Sequence, residues 1–127
     1  MPKKKTVIAI VDDDPDMLAA LSELLQVLSF ECLTFSSAEA FLESYGHHEF
    51  GCLITDVRMP GISGLELLEK LKKIRSPLPV IVISSSVNDE TGAQAMANGA
   101  LAFLKKPIDD KTLLHYLALA LRQGDGV

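Results

Sequence analysis

The stretch "AIVDDDPD", Ala9 to Asp16, sets an aliphatic run directly against three carboxylates, Asp12, Asp13 and Asp14, with no basic residue among them. The run itself, Val7 to Val11, is short and almost unbroken, which is how a strand covered on both faces reads. On the other side, Asp14 followed by Pro15 predicts a helix N-cap with proline in the first turn, where its missing N–H is harmless. Strand, acidic turn and helix thus follow one another within a few residues.

The same order repeats along the chain. Cys52 to Thr55 and Val80 to Ile83 are further apolar runs, and Cys32 to Phe35 and Ala102 to Lys105 are weaker strands. Helical spacing appears in Leu18, Leu21, Leu25 and Leu28, in Leu67, Leu68, Leu71 and Ile74, and in Ala93, Met96, Ala97 and Ala100. Ser36 with Glu39 predicts a capping box for the second helix, Asn98-Gly99 the end of the fourth, and Asp110 to Arg122 the fifth. Five βα units predict an α/β fold, a doubly wound parallel sheet with helices on both faces. Parallel strands joined by right-handed crossovers present their carboxyl ends along one edge, where open α/β sheets place ligands.

Composition bounds the function. The 127 residues suit one domain spanning 1–127, with residues 1–5 a basic tail and 123–127, with Gly124-Asp125-Gly126, the start of a linker. Apolar residues at 48% and charged residues at 23% give a globular balance, and a net charge of -5 argues against direct nucleic-acid binding by this segment. Lys3, Lys4 and Lys5 read as a solvated terminus. Cys32 and Cys52 lack metal-type spacing and lie in strand-like surroundings, as reduced core thiols do, which fits a cytoplasmic protein. No apolar stretch is long enough for a membrane span, and no signal-peptide pattern opens the chain, so no membrane association is expected. His47 and His48 have no partner at ligand spacing and read as loop residues.

Four strand ends deliver polar groups to the ligand edge: Asp12 and Asp13, then Asp56, Ser84, and Lys106 before Pro107. Singly, each is an ordinary turn or loop residue. Together they gather carboxylates that, at about 5 Å, repel by roughly 3 kcal/mol per pair at an effective dielectric near 20. Such a cluster requires a cation, and oxygen-only ligands leaving room for water and phosphate favour Mg²⁺ over Ca²⁺. A lysine and a hydroxyl beside it complete a cradle for a phosphoryl group, with one carboxylate left as nucleophile. Lys105 precedes Lys106, and sequence alone leaves the choice between the two ammonium groups open, although strand alternation would send Lys105 the other way.

In family order and near-family spacing, the stretches "IVDDDPDML", "LITDVRMPGISGLELL", "PVIVISSS" and "GALAFLKKPID" resemble the receiver domain of two-component response regulators, CheY-like, over nearly the whole chain. Their flavour is closest to LuxR/FixJ-type regulators. The resemblance implies a flavodoxin-like sheet of order 2-1-3-4-5, with Asp56 as phosphoacceptor for a sensor kinase phosphohistidine or a phosphotransfer protein. It implies Mg²⁺, with Mn²⁺ as a substitute, held by Asp12, Asp13, Asp56 and the backbone carbonyl of Arg58. Ser84 and Lys106 would bind the phosphoryl group, Phe103 would be the aromatic switch, and Arg58 and Ser86 would tune its hydrolysis. Ser85 departs from the Ala or Gly preferred at its position. From the residues alone, Phe103 reads as core.

The resemblance also implies that phosphorylation switches the face of the fourth helix, fifth strand and fifth helix, driving homodimerisation or control of a C-terminal DNA-binding domain outside this chain. In "TLLHYLALALRQ", Leu113, Leu117 and Leu121 share one side of a helical wheel, while Tyr116 and Leu119 fall outside it and predict an apolar interface strip. A receiver of this kind is not a turnover enzyme. A haloacid-dehalogenase-like phosphatase is the enzymatic alternative, but Pro15 stands where its motif requires Thr or Val. A flavodoxin-like binding module would require a phosphate loop where three aspartates stand.

Overall fold

The aliphatic run Val7–Val11 forms strand β1, and its alternation divides the molecule. Ile8 and Ile10 point to one face of the sheet and Ala9 and Val11 to the other, all four fully buried. The computed structural model describes residues 7–85 and 89–124. Within them the chain alternates β1, α1 (Pro15–Val27), β2 (Glu31–Phe35), α2 (Ala38–Ser44), β3 (Phe50–Asp56), α3 (Gly64–Lys73), β4 (Val80–Ser84), α4 (Asp89–Ala97), β5 (Ala102–Lys105) and α5 (Asp110–Gly124). The strands form one sheet, all neighbours parallel, in the order β2-β1-β3-β4-β5, as expected. Register sets Ile10 between Thr34 and Ile54, Asp56 beside Ile83, and Ser84 beside Lys105.

Each face carries its own core. On one, Ile8, Ile10, Ile54, Ile81 and Ile83 meet Leu21 and Leu25 of α1 and Leu113 and Leu117 of α5. On the other, Val11, Leu53 and Val82 meet Phe41 of α2, Leu67 and Leu71 of α3, and Ala95 of α4. Phe41 is the largest fully buried side chain. Its ring lies 5.6 Å from that of Phe35, 5.3 Å from Phe50 and 6.0 Å from Tyr45. This aromatic cluster explains why β3 begins at Phe50, ahead of the aliphatic run at Cys52.

Several local expectations shift. The N-cap of α2 is Ser37, whose hydroxyl accepts from the Ala40 amide at 3.1 Å, and not Ser36. The capping box is instead at α3, where Ser63 and Glu66 exchange two 3.1 Å hydrogen bonds. On α4 the expected stripe holds only at Ala100, which is buried just past the helix: Ala93 and Ala97 are exposed, Met96 is 50% exposed, and the buried contact within the helix is Ala95. A helix whose apolar residues are mostly alanine gives little contrast between faces, and α4 meets β5 through its smallest side chains. Ile74 lies just past α3 and is 59% exposed. Asp14 does cap α1, accepting from the Asp16 amide at 3.0 Å, and Gly99 at φ +91 follows α4.

Cys32 is half-buried and Cys52 buried; neither is in a disulfide, and burial pushes the Cys52 thiol up to about 12. None of the described helices is long and apolar enough to cross a membrane. The basic run Lys3 to Lys5 and residues 125–127 lie outside the described residues. Truncating Phe41 to Ala should destabilise the domain by roughly 3–5 kcal/mol in urea unfolding, because a fully buried ring leaves a cavity. Val27→Ala, at a site 80% exposed, should stay within about 0.5 kcal/mol.

Candidate functional site

Because all strands run the same way, the residues after β1, at the ends of β3 and β4, and after β5 share one rim. The Asp12 amide donates to the Phe35 carbonyl at 3.1 Å, which carries the β1–β2 pairing one residue past the strand. Its side chain is fully buried: Oδ1 accepts from the Asp14 amide at 3.0 Å, whereas Oδ2 accepts no hydrogen bond. Asp56, the last residue of β3, is 9% exposed. Lys106 Nζ sits between them, 3.6 Å from Asp12 Oδ2 and 3.5 Å from Asp56 Oδ1. Asp13 is exposed and contributes the third carboxylate; one oxygen from each of Asp12, Asp13 and Asp56 lies within 4.8 Å of the others.

The main chain around Asp56 is tightly packed. The Val57 amide donates to Ile83 O at 3.1 Å, the Gly64 amide to Val57 O at 2.9 Å, and the Thr55 hydroxyl to Asp56 O at 3.1 Å. A Cβ at Gly64 would run into the Asp56 carbonyl, so the start of α3 lies against the acidic residue's backbone only because that position is glycine. Sequence reasoning assigned no role to Thr55 or Gly64. A buried threonine in an aliphatic strand and a glycine just after a serine N-cap were the available signals.

Lys106 continues the β5 ladder through its amide, which donates to Ser84 O at 2.9 Å. Its side chain is 20% exposed and reaches the acidic pair, while the preceding Lys105 is exposed at the strand edge. Ser84 is 2% exposed at the end of β4, one residue beyond Ile83, the partner of Asp56. Arg58 is exposed, and with Asp13, Val57, Met59, Pro60 and Ser63 it lines an open cavity of about 470 Å³. Phe103 is half-buried beside Val82 and packs against the core on the α4 side. On α5, Leu113 and Leu117 are fully buried, while Tyr116 and Leu119 are half-buried; Tyr116 packs on the core and Leu114 is 40% exposed. Ser86 lies outside the described residues.

Burial pushes Asp56 above the ordinary carboxylate range; the Asp12 charge adds to this and Lys106 opposes it. Asp12 is raised for the same first reason, with the Asp14 amide and Lys106 working against the shift. Among the described residues, one ammonium group thus faces the carboxylates of Asp12 and Asp56, with that of Asp13 beside them. The donors are all oxygen, and buried Asp12 Oδ2 lacks a hydrogen bond, so the residues fit a hard divalent cation.

A parallel sheet of this order, with an acidic cluster and a lysine at the carboxyl ends of its strands, defines a flavodoxin-like receiver module. Residues 8–118 match the response regulator receiver domain, and the chain belongs to that family. It is 37% identical over 118 residues to the transcriptional regulatory protein FixJ of Bradyrhizobium diazoefficiens, covering 93% of this chain and 58% of that protein. It is 40% identical over 122 residues to the response regulator protein TmoT of Ectopseudomonas mendocina, covering 96% and 56%. The chain therefore spans little more than half the length of these relatives. Among solved structures, full-length FixJ from B. japonicum superposes with a TM-score of 0.86 at 37% identity, over 95% of this chain and 60% of that one. A response regulator receiver domain protein from Clostridium thermocellum gives 0.86 at 27% identity, over 94% and 97%.

The raised carboxyl groups fix the sign of a pH effect. Between the ordinary carboxylate value and the raised one, the folded chain binds more protons than the unfolded chain, so stability falls as pH climbs through that window. In EDTA, Asp56→Asn should stabilise the domain at pH 7 by roughly 1–3 kcal/mol, and the gain should shrink towards pH 4. Urea unfolding of both proteins at the two pH values reads this; a gain that does not change with pH would contradict it.

Proposed function

We propose that Asp56 accepts a phosphoryl group from a phosphohistidine of a sensor histidine kinase or phosphotransfer protein, and that the whole chain acts as one receiver domain. The Asp56 carboxylate attacks phosphorus, an O–P bond forms, the N–P bond breaks, and the released imidazole takes up a proton. The carboxylates of Asp12, Asp13 and Asp56 and the Arg58 carbonyl would hold Mg²⁺, or Mn²⁺ in its place. That ion supplies neutralisation of the charge on the transferring oxygens.

The observation that carries this reading is the placement of Lys106, within 3.6 Å of both a buried Asp12 oxygen lacking a hydrogen bond and the carboxylate at the end of β3. Lys106 orients a phosphoryl oxygen and Ser84 donates to another. Arg58 and Ser86 would tune hydrolysis of the phosphoryl group. The chain is a switch rather than a turnover enzyme, and it works in the cytoplasm.

An acyl phosphate on Asp56 adds about one negative charge and several acceptor oxygens. Lys106 and Ser84 bind this form better, and the difference in binding biases β5, α4 and α5, with Phe103 following Ser84. The responding face, including Tyr116 and Leu119, then pairs with a second copy or regulates a DNA-binding domain beyond this chain. The FixJ relative supports a transcriptional output, since it is a transcriptional regulatory protein of which the match covers only 58%.

Incubation with acetyl phosphate and Mg²⁺ should add one phosphoryl mass to the wild type, and none to Asp56→Asn or to wild type in EDTA, by intact mass spectrometry. Steady hydrolysis of p-nitrophenyl phosphate would instead favour a phosphatase. Leu119→Glu should leave folding intact and weaken beryllofluoride-dependent dimerisation about thirtyfold in sedimentation, a loss equal to one hot-spot contact.

A further inference from the structure

Helix α4 is nine residues long, yet Gly92 lies in its interior, at a cost of about 1 kcal/mol relative to alanine. Its surroundings supply a reason. A Cβ at Gly92 would stand 3.1 Å from Cδ2 and 3.3 Å from Cε2 of the Phe103 ring, inside the roughly 3.5–4.0 Å of ordinary carbon contact. Any other residue there must displace either the ring or the helix.

The two differ in freedom. The helix is pinned one turn on by Ala95, which is fully buried against the sheet with Val82 and Ala100. The ring stands on β5, the last strand of the sheet, and is half-buried. It borders an open cavity of about 320 Å³ that Met96, Lys105 and Tyr116 also line. The ring therefore yields before the helix does. Its strand leads directly into Lys106, three residues further on, and its register partner Val82 precedes Ser84 by two.

We propose that Gly92 is a positioning residue for the Phe103 ring: the missing Cβ opens the seat the ring takes against α4, and position 92 thereby sets how ring position couples to Ser84 and Lys106. The coupling rests on the reading of Asp56 as phosphoacceptor; the seat itself does not. Filling the seat with one methyl group changes the ring's distribution and, through it, the affinity of the Asp56 site for a phosphoryl group.

The test compares wild type, Gly92→Ala, Phe103→Leu and the double variant, each confirmed as folded by urea unfolding. In fluorine NMR of protein carrying 3-fluorophenylalanine at its five phenylalanines, the Phe103 resonance is the one missing from Phe103→Leu. Gly92→Ala should move that resonance and leave the other four; an unmoved Phe103 signal overturns the proposal. Half-saturation by beryllofluoride with Mg²⁺ should change about threefold or more on Gly92→Ala when Phe103 is present, and much less in the Phe103→Leu background. Strengthening of α4 by alanine acts in both backgrounds, so equal changes in the two would also overturn it. Failure of wild type to bind beryllofluoride would overturn the phosphoacceptor reading and the coupling with it, whereas binding without a background-dependent change would overturn the coupling alone.

Discussion

The structure turns on the repulsion between two buried carboxylates and the single ammonium group that opposes it. Asp12 and Asp56 come from adjacent strands, and both are pushed towards protonation by burial. Lys106 comes from β5, which the sheet order places two strands from β3. At about 4.8 Å between neighbouring strands the span is near 10 Å, so a long side chain must cross the end of β4 to arrive. Ser84 occupies that end, and its small side chain leaves the crossing open. A parallel sheet with β4 between β3 and β5 is therefore a geometric condition of the site.

The rim is not held together by its own interactions. Asp12 and Asp56 share one lysine beside a third carboxylate, Asp13, and a buried oxygen of Asp12 accepts no hydrogen bond, an arrangement that opposes folding. What sustains it is the two-sided core, where Ile8, Ile10, Ile54, Ile81 and Ile83 on one face and Val11, Leu53 and Val82 on the other are almost wholly removed from water. Locally unfavourable groups placed on a rigid scaffold at strand ends are characteristic of functional sites.

Much of this was legible in the sequence, for reasons that differ by element. β1 and β5 are bounded as expected because aliphatic runs meet sharp polar turns. Asp12, Asp13, Asp56 and Lys106 could be grouped because parallel topology alone brings strand ends together. α4 misled because alanines at helical spacing do not say which side meets the sheet, and its contact turns out to be Gly92 and Ala95. Thr55, Gly64 and Gly92 escaped for a related reason. Their contribution is a close backbone or ring approach, and spacing in a sequence carries no distances between elements that meet only after folding.

Charge and connectivity then suggest how an event at Asp56 reaches the surface. Any group that adds negative charge at Asp56 strengthens the demand on the one lysine already shared between two carboxylates. Lys106 is one residue past the end of β5, so a pull on its ammonium group acts on the strand that carries Phe103. β5 is the last strand in the order, bonded to β4 alone within the sheet, and it meets α4 through a glycine and a half-buried ring instead of an interlocked core. The other edge strand, β2, carries no side chain of the site, and β1, β3 and β4 lie between neighbours. The same sheet that holds the acidic pair on two inner strands thus attaches its counter-charge to an edge strand.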